Sequence, residues 1–119
     1  MEKKQLTHFL DTVRRLIDGE DPKQLIAAMP SDISAANHDQ GFYGDDDWCL
    51  AVLLLDDWRF EYYERFAEES PKLADMVHDW AELLDEAEDH MPPHEKARFL
   101  DKLKAAWEDA DRLRAASAV

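Results

Sequence analysis

The sequence predicts an all-α fold, a small antiparallel bundle of four main helices plus one or two short helices. Apolar residues recur at three- and four-residue intervals along most of the 119 residues, which is the period of helices that bury one face. Three glycines and five prolines are present, fewer turn residues than a β-sandwich or barrel needs. The length fits a single helical domain over residues 1–119.

The first predicted helix carries one apolar stripe and ends at Gly19, because glycine adopts the left-handed conformation that closes helices. Asp21-Pro22 then starts a short helix, with Asp as the N-cap and Pro in the first turn. Residues 31–36 are a candidate helical turn, and residues 37–44 are predicted to form a loop. The stripe of the first helix consists of Leu6, Phe9, Leu10, Val13, Leu16 and Ile17.

Two long helices are predicted in the middle of the chain. The first begins at Asp45–Asp47, whose carboxylates complement the positive end of the helix dipole, and runs to Glu69. Ser70-Pro71 is again an N-cap residue followed by proline, which predicts the start of the second long helix. Apolar residues at helical spacing continue from there to Ala87. The last helix is predicted over residues 94–116. Because the connections are short, successive long helices are expected to pack antiparallel.

The formal charge of −14 is concentrated in one segment. Residues 41–91 carry 16 acidic and 3 basic side chains, whereas residues 1–40 carry 7 and 5, and residues 92–119 carry 5 and 6. Such a segment produces a directional field that repels nucleic acid and anionic membranes, since both are bound by Lys and Arg. We therefore expect a protein partner with a basic surface, and neither direct nucleic-acid binding nor membrane binding.

The lone Cys49 fits a reducing compartment and a buried structural role, because its acidic surroundings disfavour a reactive thiolate. The N-terminus leads into an amphipathic stretch, and the longest apolar run, from Trp48 to Leu55, is far short of a membrane span. These features predict a cytoplasmic protein. Trp48 and Trp80 are assigned to the core, and Trp107 is left open.

The candidate metal sites have structural explanations. Asp75/His78 and Glu86/His90 have helical spacing, but a carboxylate-bridged di-metal bundle needs Glu-x-x-His motifs on two helices. Asp45–Asp47 lacks the alternating ligands, the glycine and the bidentate Glu of a calcium loop. Paired carboxylates for acid–base catalysis stay open, since sequence spacing does not fix their geometry in a bundle. We expect no cofactor, no metal and no enzymatic activity.

The stretch over residues 56–66 combines acidic and aromatic side chains and is the candidate binding surface. One helical stripe there contains Leu55, Trp58, Arg59, Tyr62 and Phe66. A second contains Asp56, Phe60, Tyr63 and Ala67. The two stripes do not easily fit into one small core, so one of them is expected to stay exposed beside carboxylates. Exposed aromatic rings surrounded by charges are typical of interface hot spots. The alternative is that every ring lies in the core. The predicted protein-binding residues are Asp56, Asp57, Trp58, Glu61, Tyr62, Tyr63, Glu64 and Glu68.

Together these features predict a non-enzymatic acidic protein that binds and inhibits a protein partner, such as a nuclease toxin or a DNA-binding regulator. Immunity or antitoxin proteins, DNA mimics, phage antagonists and anti-activators of transcription factors work this way, in bacteria or phages. Two alternatives remain: a small acidic secretion or assembly chaperone, with an apolar groove and a homodimeric state, and a helical metal-dependent enzyme. The sequence leaves open whether the basic last helix neutralises the acidic surface internally.

Overall fold

The computed structural model describes residues 5–33, 47–86 and 91–117, and all regular structure within these ranges is helical. The predicted all-α class is confirmed. The predicted count of four main helices is not confirmed, because the described residues form seven helices besides residues 31–33, which are also helical and lie in the predicted turn. These are α1 (Gln5–Ile17), α2 (Pro22–Ala28), α3 (Asp47–Glu61), α4 (Tyr63–Glu69), α5 (Pro71–His78), α6 (Ala81–Asp85) and α7 (Pro93–Ser117).

The end of α1 has the predicted glycine stop. Gly19 has φ 85°, its N–H donates to the Leu16 carbonyl, and the Glu20 N–H donates to the Arg15 carbonyl. This pair of hydrogen bonds is the Schellman motif, which satisfies the last carbonyls of a helix. The Arg15 guanidinium also donates to the Glu20 carboxylate at 2.6 and 2.7 Å and so lowers the pKa of Glu20.

The predicted starts of α2 and α5 are confirmed as well. The Asp21 carboxylate accepts a hydrogen bond from the Lys23 N–H at 3.1 Å, and the Ser70 hydroxyl accepts one from the Leu73 N–H at 3.3 Å. Both side chains satisfy N–H groups that have no partner inside the helix, and a proline follows each cap. Local sequence therefore determines where these two helices begin.

Each of the two long helices predicted in the middle of the chain is divided in the structure. Tyr62, with φ −101° and ψ 11°, separates α3 from α4, and a turn at residues 79–80 separates α5 from α6. The ring of Tyr62 is buried and its hydroxyl donates to Asp32, while Trp80 is also buried. Tertiary contacts of these large side chains accompany both breaks, and apolar spacing does not reveal them because it continues through each.

Helix α1 is central to the fold, since it packs against α2, α3, α4 and α7. Its side chains Phe9, Leu10 and Val13 are buried. The Trp107 indole N–H of α7 donates to the Leu10 carbonyl at 2.8 Å, which ties the last helix to the first. None of the helices within the described ranges has the length and apolar character needed to cross a membrane.

A second long-range tie joins the start of α1 to the end of α4. The Leu6 N–H donates to the Glu69 carboxylate at 2.9 Å. This N–H lies in the first turn of α1, where backbone donors have no partner inside the helix and where a negative charge is favoured by the dipole. Glu69 therefore caps α1 from 63 residues away.

Candidate functional site

Two of the predicted binding residues, Trp58 and Tyr62, lie in the core and not on an uncovered surface. Trp58 is fully buried, with its ring centroid 5.2 Å from that of Phe9 and 4.9 Å from that of His8. Its indole N–H has no hydrogen-bond partner within the described part of the chain. The expected exposure of these two rings is corrected, because their stripe of α3 and α4 faces α1.

Tyr62 is held at the junction of α3 and α4 by contacts from both sides. Its hydroxyl donates to the Asp32 carboxylate, with oxygens 2.8 and 3.0 Å away. The guanidinium carbon of Arg65 lies 4.3 Å from the centroid of the ring. Burial, followed by the hydrogen bond to Asp32, raises the pKa of the Tyr62 hydroxyl. This side chain therefore has a structural role.

Asp56 and Tyr63, also among the predicted binding residues, belong to a polar cluster between α3, α4 and α5. The buried Arg59 side chain donates to Asp56 at 2.7 and 2.8 Å, and its Nη1 lies 3.4 Å from Nδ1 and 3.5 Å from the carbonyl oxygen of His78. The Tyr63 hydroxyl donates to Asp75 at 2.5 Å, and this hydrogen bond raises the pKa of Tyr63. The cluster connects three helices.

The remaining predicted residues lie on the opposite side of α3 and α4 from the core. Glu61, Glu64 and Glu68 are exposed, and Asp57 is half-buried. Among them lies Phe60, which is 63% exposed and is the one large apolar side chain exposed among the described residues. We call this surface the Phe60 face; it consists of Asp57, Phe60, Glu61, Glu64 and Glu68.

Phe60 is not among the eight predicted binding residues, although it is the exposed member of the second stripe, whose other residues Asp56, Tyr63 and Ala67 are half-buried. A signal for it was present in the sequence. Phe60 is separated from Trp58 by two positions, or about 200° around a helix, so the two rings cannot both face α1. Which ring is buried depends on the packing of α1, and this is not encoded locally.

Three acidic side chains of the Phe60 face make no ion pair within the described part of the chain. Within the described ranges no ion pair engages Glu61, Glu64 or Glu68. Residues 56–86 carry eleven acidic and three basic side chains, and one of the three, Arg59, is buried against Asp56. Arg59 and Asp56 neutralise each other, so the other residues of this segment carry ten acidic and two basic side chains.

Four of the six basic residues of α7 make contacts away from the Phe60 face. Arg112 and Arg114 pair with acidic residues three positions earlier on the same helix, and the Lys96 ammonium lies 4.9 Å from the centroid of the Trp48 ring. Lys102 pairs with Glu86 at 3.1 Å, the one contact among the described ion pairs between a base of α7 and the acidic central segment. Among the described ion pairs, none joins α7 to Glu61, Glu64 or Glu68 of the Phe60 face.

The pairs considered as metal ligands have other partners or lie outside the described residues. Asp75 accepts from Tyr63 and His78 contacts Arg59, while His90 and the first two aspartates of Asp45–Asp47 fall outside the described ranges. Within those ranges no group of three or more His, Cys, Asp or Glu side chains is placed to hold a metal ion. Cys49 is buried, as predicted.

A cleft of about 260 Å³ lies between the end of α6 and the start of α7. Two acidic and two basic side chains line it together with two apolar ones, and one pair of them, Glu86 and Lys102, forms a salt bridge. Its charges balance, in contrast to the Phe60 face. The lining residues are Glu86, Met91, Glu95, Arg98, Phe99 and Lys102.

The two tryptophans assigned to the core are both packed against it. Trp80 is buried and Trp48 is half-buried. The ring centroid of Trp48 lies 5.6 Å from that of Phe99.

Comparisons of the chain with known protein families, with curated proteins and with solved structures find no match. The functional argument therefore rests on the geometry of the Phe60 face.

Proposed function

We propose that this protein is a non-enzymatic inhibitor that binds a protein partner through the Phe60 face and covers a basic functional surface of that partner. The carboxylates of Glu61, Glu64 and Glu68 take the place of phosphates or of an acidic ligand. Nuclease toxins and DNA-binding regulators have such surfaces, because they bind nucleic acid through Lys and Arg. The proposal places the protein with immunity proteins, DNA mimics, phage antagonists and anti-activators.

The observation that carries the proposal is the exposure of Phe60 beside Glu61, Glu64 and Glu68, which make no ion pair with any residue in the described ranges. Covering a Phe ring at an interface contributes about 1.5–3 kcal/mol, the magnitude typical of an interface hot spot. The surrounding charges accelerate encounter with a basic partner and reject acidic ones. Phe60 therefore sets the dissociation rate in this proposal, and the glutamates set the association rate.

A non-enzymatic role is favoured by the contacts of the titratable groups that lie closest together. In the cluster between α3, α4 and α5, Arg59 is bound to Asp56 and Tyr63 to Asp75. Each of these contacts joins separate helices or adjacent turns, which is the role of a structural tie. We propose that this surface binds a partner and does not catalyse a reaction.

The test is affinity capture from cells that express the chain, with the wild type and two triple variants as bait. The first variant, Glu61→Gln/Glu64→Gln/Glu68→Gln, removes three charges from the Phe60 face. The matched control, Glu95→Gln/Asp101→Asn/Glu108→Gln, removes three exposed carboxylates from α7. Each bait is used at about 0.05 M and about 0.5 M salt, since screening weakens contacts between exposed charges.

We expect one basic protein to be recovered at low salt by the wild type and by the α7 control, with recovery at least about tenfold lower for the Phe60-face variant. Equal losses for the two variants would show that only the total charge matters and would contradict the proposal. A salt-insensitive homodimer that binds apolar dyes strongly would instead support the chaperone alternative. Light scattering on the same preparations measures the molar mass.

A further inference from the structure

The junction between α3 and α4 interrupts a stretch of sequence that favours one continuous helix. Residues 47–70 contain no proline and no glycine, and apolar residues keep helical spacing through Tyr62. Sharp breaks in helices are almost always caused by proline, by glycine and serine pairs, by bulges or by a group that disturbs the hydrogen-bond ladder. The residue types of this stretch therefore do not explain the break, and its cause is to be found in tertiary contacts.

The interruption is confined to Tyr62. On one side the Tyr62 N–H donates to the Trp58 carbonyl, and on the other the Phe66 N–H donates to the Tyr62 carbonyl, both at 2.9 Å. Tyr62 has φ −101° and ψ 11°, and its side chain makes no cap hydrogen bond to α4. The first N–H groups of α4 therefore lack the carbonyl partners that a continuous helix would supply.

The side chain of Tyr62 ties this junction to a distant element. Its hydroxyl donates to Asp32, four residues after the end of α2, with the carboxylate oxygens at 2.8 and 3.0 Å. A hydrogen bond to a charged acceptor is stronger than one between neutral groups. The guanidinium carbon of Arg65 lies 4.3 Å from the centroid of the same ring. These contacts fix the position of Tyr62 relative to the chain that follows α2.

We propose that the junction between α3 and α4 is a two-state hinge that the hydrogen bond from Tyr62 to Asp32 keeps in its interrupted state. When that bond is released, α3 and α4 join into one continuous helix. The N–H groups of Tyr63, Glu64 and Arg65 then donate to carbonyls four residues earlier. One charge-assisted contact with a distant residue is thus exchanged for the backbone hydrogen bonds of one helical turn.

The hinge divides the Phe60 face. Phe60 and Glu61 belong to α3, whereas Glu64 and Glu68 belong to α4. In a continuous helix the three glutamates are three and four residues apart and form a single row. Like charges at that spacing repel, which disfavours the continuous state in the free protein, and a basic partner that neutralises the row favours it. Asp32 is therefore a positioning residue for this face.

The test measures amide hydrogen exchange and Cα chemical shifts of the free full-length protein by NMR, and circular dichroism confirms that each variant is folded. Tyr62→Phe removes the hydroxyl and keeps the ring, and Asp32→Ala removes the acceptor at an exposed position. Asp32→Asn is the conservative variant, because its side-chain oxygen still accepts a hydrogen bond. Tyr63→Phe is the matched control, since it removes a tyrosine–carboxylate contact of the same kind, with Asp75.

We expect exchange of the Tyr63, Glu64 and Arg65 amides to slow at least about tenfold in Tyr62→Phe and in Asp32→Ala, because these amides gain helical hydrogen bonds. Helical Cα shifts should then continue through residue 62. Asp32→Asn and Tyr63→Phe should behave as the wild type. Unchanged or faster exchange in either of the first two variants, or equal slowing in Tyr63→Phe, would overturn the inference. Asp32→Ala decides alone if Tyr62→Phe does not fold.

The outcomes are independent of those for the proposed function, since the hinge is measured without a partner. If capture of a cellular partner depends on the Phe60 face while exchange at the junction is unchanged in the variants, the inhibitor proposal stands and the hinge is wrong. If exchange slows as expected but capture does not depend on that face, the hinge stands and the inhibitory role is wrong.

Discussion

Trp58 and Phe60 lie two residues apart on α3, yet one ring is fully buried and the other is 63% exposed. Trp58 contacts rings of α1, and Phe60 lies between acidic side chains on the opposite side. The amino-acid composition of the segment does not distinguish the buried ring from the exposed one. The difference between them shows that helical position relative to α1, and not aromatic content, separates the residues that hold the fold from those that are available to a partner.

The largest expected effect separates these two rings directly. Trp58→Ala leaves a cavity in the core and should lower the free energy of unfolding by about 3–5 kcal/mol. Phe60→Ala should change it by less than about 0.5 kcal/mol, because the ring is mostly in solvent. Urea denaturation followed by circular dichroism measures both values. Similar losses for the two variants would mean that Phe60 is part of the core.

The next largest effect is expected at the buried ion pair beside the Phe60 face. Arg59→Ala removes the partner of Asp56 and the donor to the His78 carbonyl, and should cost about 2–3 kcal/mol. The side chain of Asp56 is 22% exposed, so water offsets part of the cost of leaving it unpaired.

The double variant Arg59→Met/Asp56→Asn is the control for this pair. It removes both charges and keeps most of the side-chain volume, so it should recover at least half of the lost stability. The stabilities of the single and double variants are compared from their denaturation midpoints. A common slope is used for the dependence of the unfolding free energy on denaturant concentration. A double variant as unstable as Arg59→Ala would indicate that Arg59 acts through packing of its aliphatic stem.

A smaller effect is expected at alkaline pH. The pKa values of Tyr62 and Tyr63 are raised, so the folded protein holds these two protons more tightly than the unfolded chain does. Their contribution to stability is therefore complete below the ordinary tyrosine pKa of about 10 and is lost as the pH rises through the raised values. Absorbance titration of the phenolates measures the shift, and Tyr62→Phe should remove one late-titrating group. Titration of both tyrosines at the unfolded value would contradict these contacts.

Removal of the carboxylate that caps α1 from a distance should cost less than the loss of a core side chain. Glu69→Ala leaves the Leu6 N–H without its acceptor and should lower stability by about 0.5–1 kcal/mol, as for other helix caps. Glu68→Ala, one position earlier and exposed, is the matched control and should be nearly neutral. Hydrogen exchange at Leu6 should accelerate in the first variant alone.

The smallest effect on stability is expected on the Phe60 face itself. Glu61→Gln/Glu64→Gln/Glu68→Gln reduces repulsion between like charges and should raise stability by a few tenths of a kcal/mol at low salt. The gain should disappear at high salt. A loss of stability would mean that these carboxylates make structural contacts, and the surface would then not be free for a partner.

Local sequence was sufficient for much of the fold. The caps at Asp21 and Ser70 and the stop at Gly19 were predicted because each depends on the conformational preference of one residue and its immediate neighbours. The breaks at Tyr62 and at residues 79–80 were not predicted. They accompany the packing of large rings against distant elements, as in the contact of Tyr62 with Asp32, while the apolar period continues unchanged.

The candidate site could be predicted only in part. Charge counting located the acidic segment, and helical spacing favoured exposure of one of two aromatic stripes, with the alternative that every ring lies in the core. The spacing could not decide which stripe, because that choice depends on where α1 packs. Trp58 and Tyr62 were therefore assigned to the binding surface, whereas Phe60 is the exposed ring.

The central claim is that Phe60 contributes to partner binding and not to the fold. Its most direct test is the dissociation rate of Phe60→Ala from the captured partner, with the thermal midpoint measured on the same preparation. We predict dissociation at least about tenfold faster, with a midpoint within about 2 °C of the wild type. An unchanged dissociation rate in the folded variant would contradict the claim.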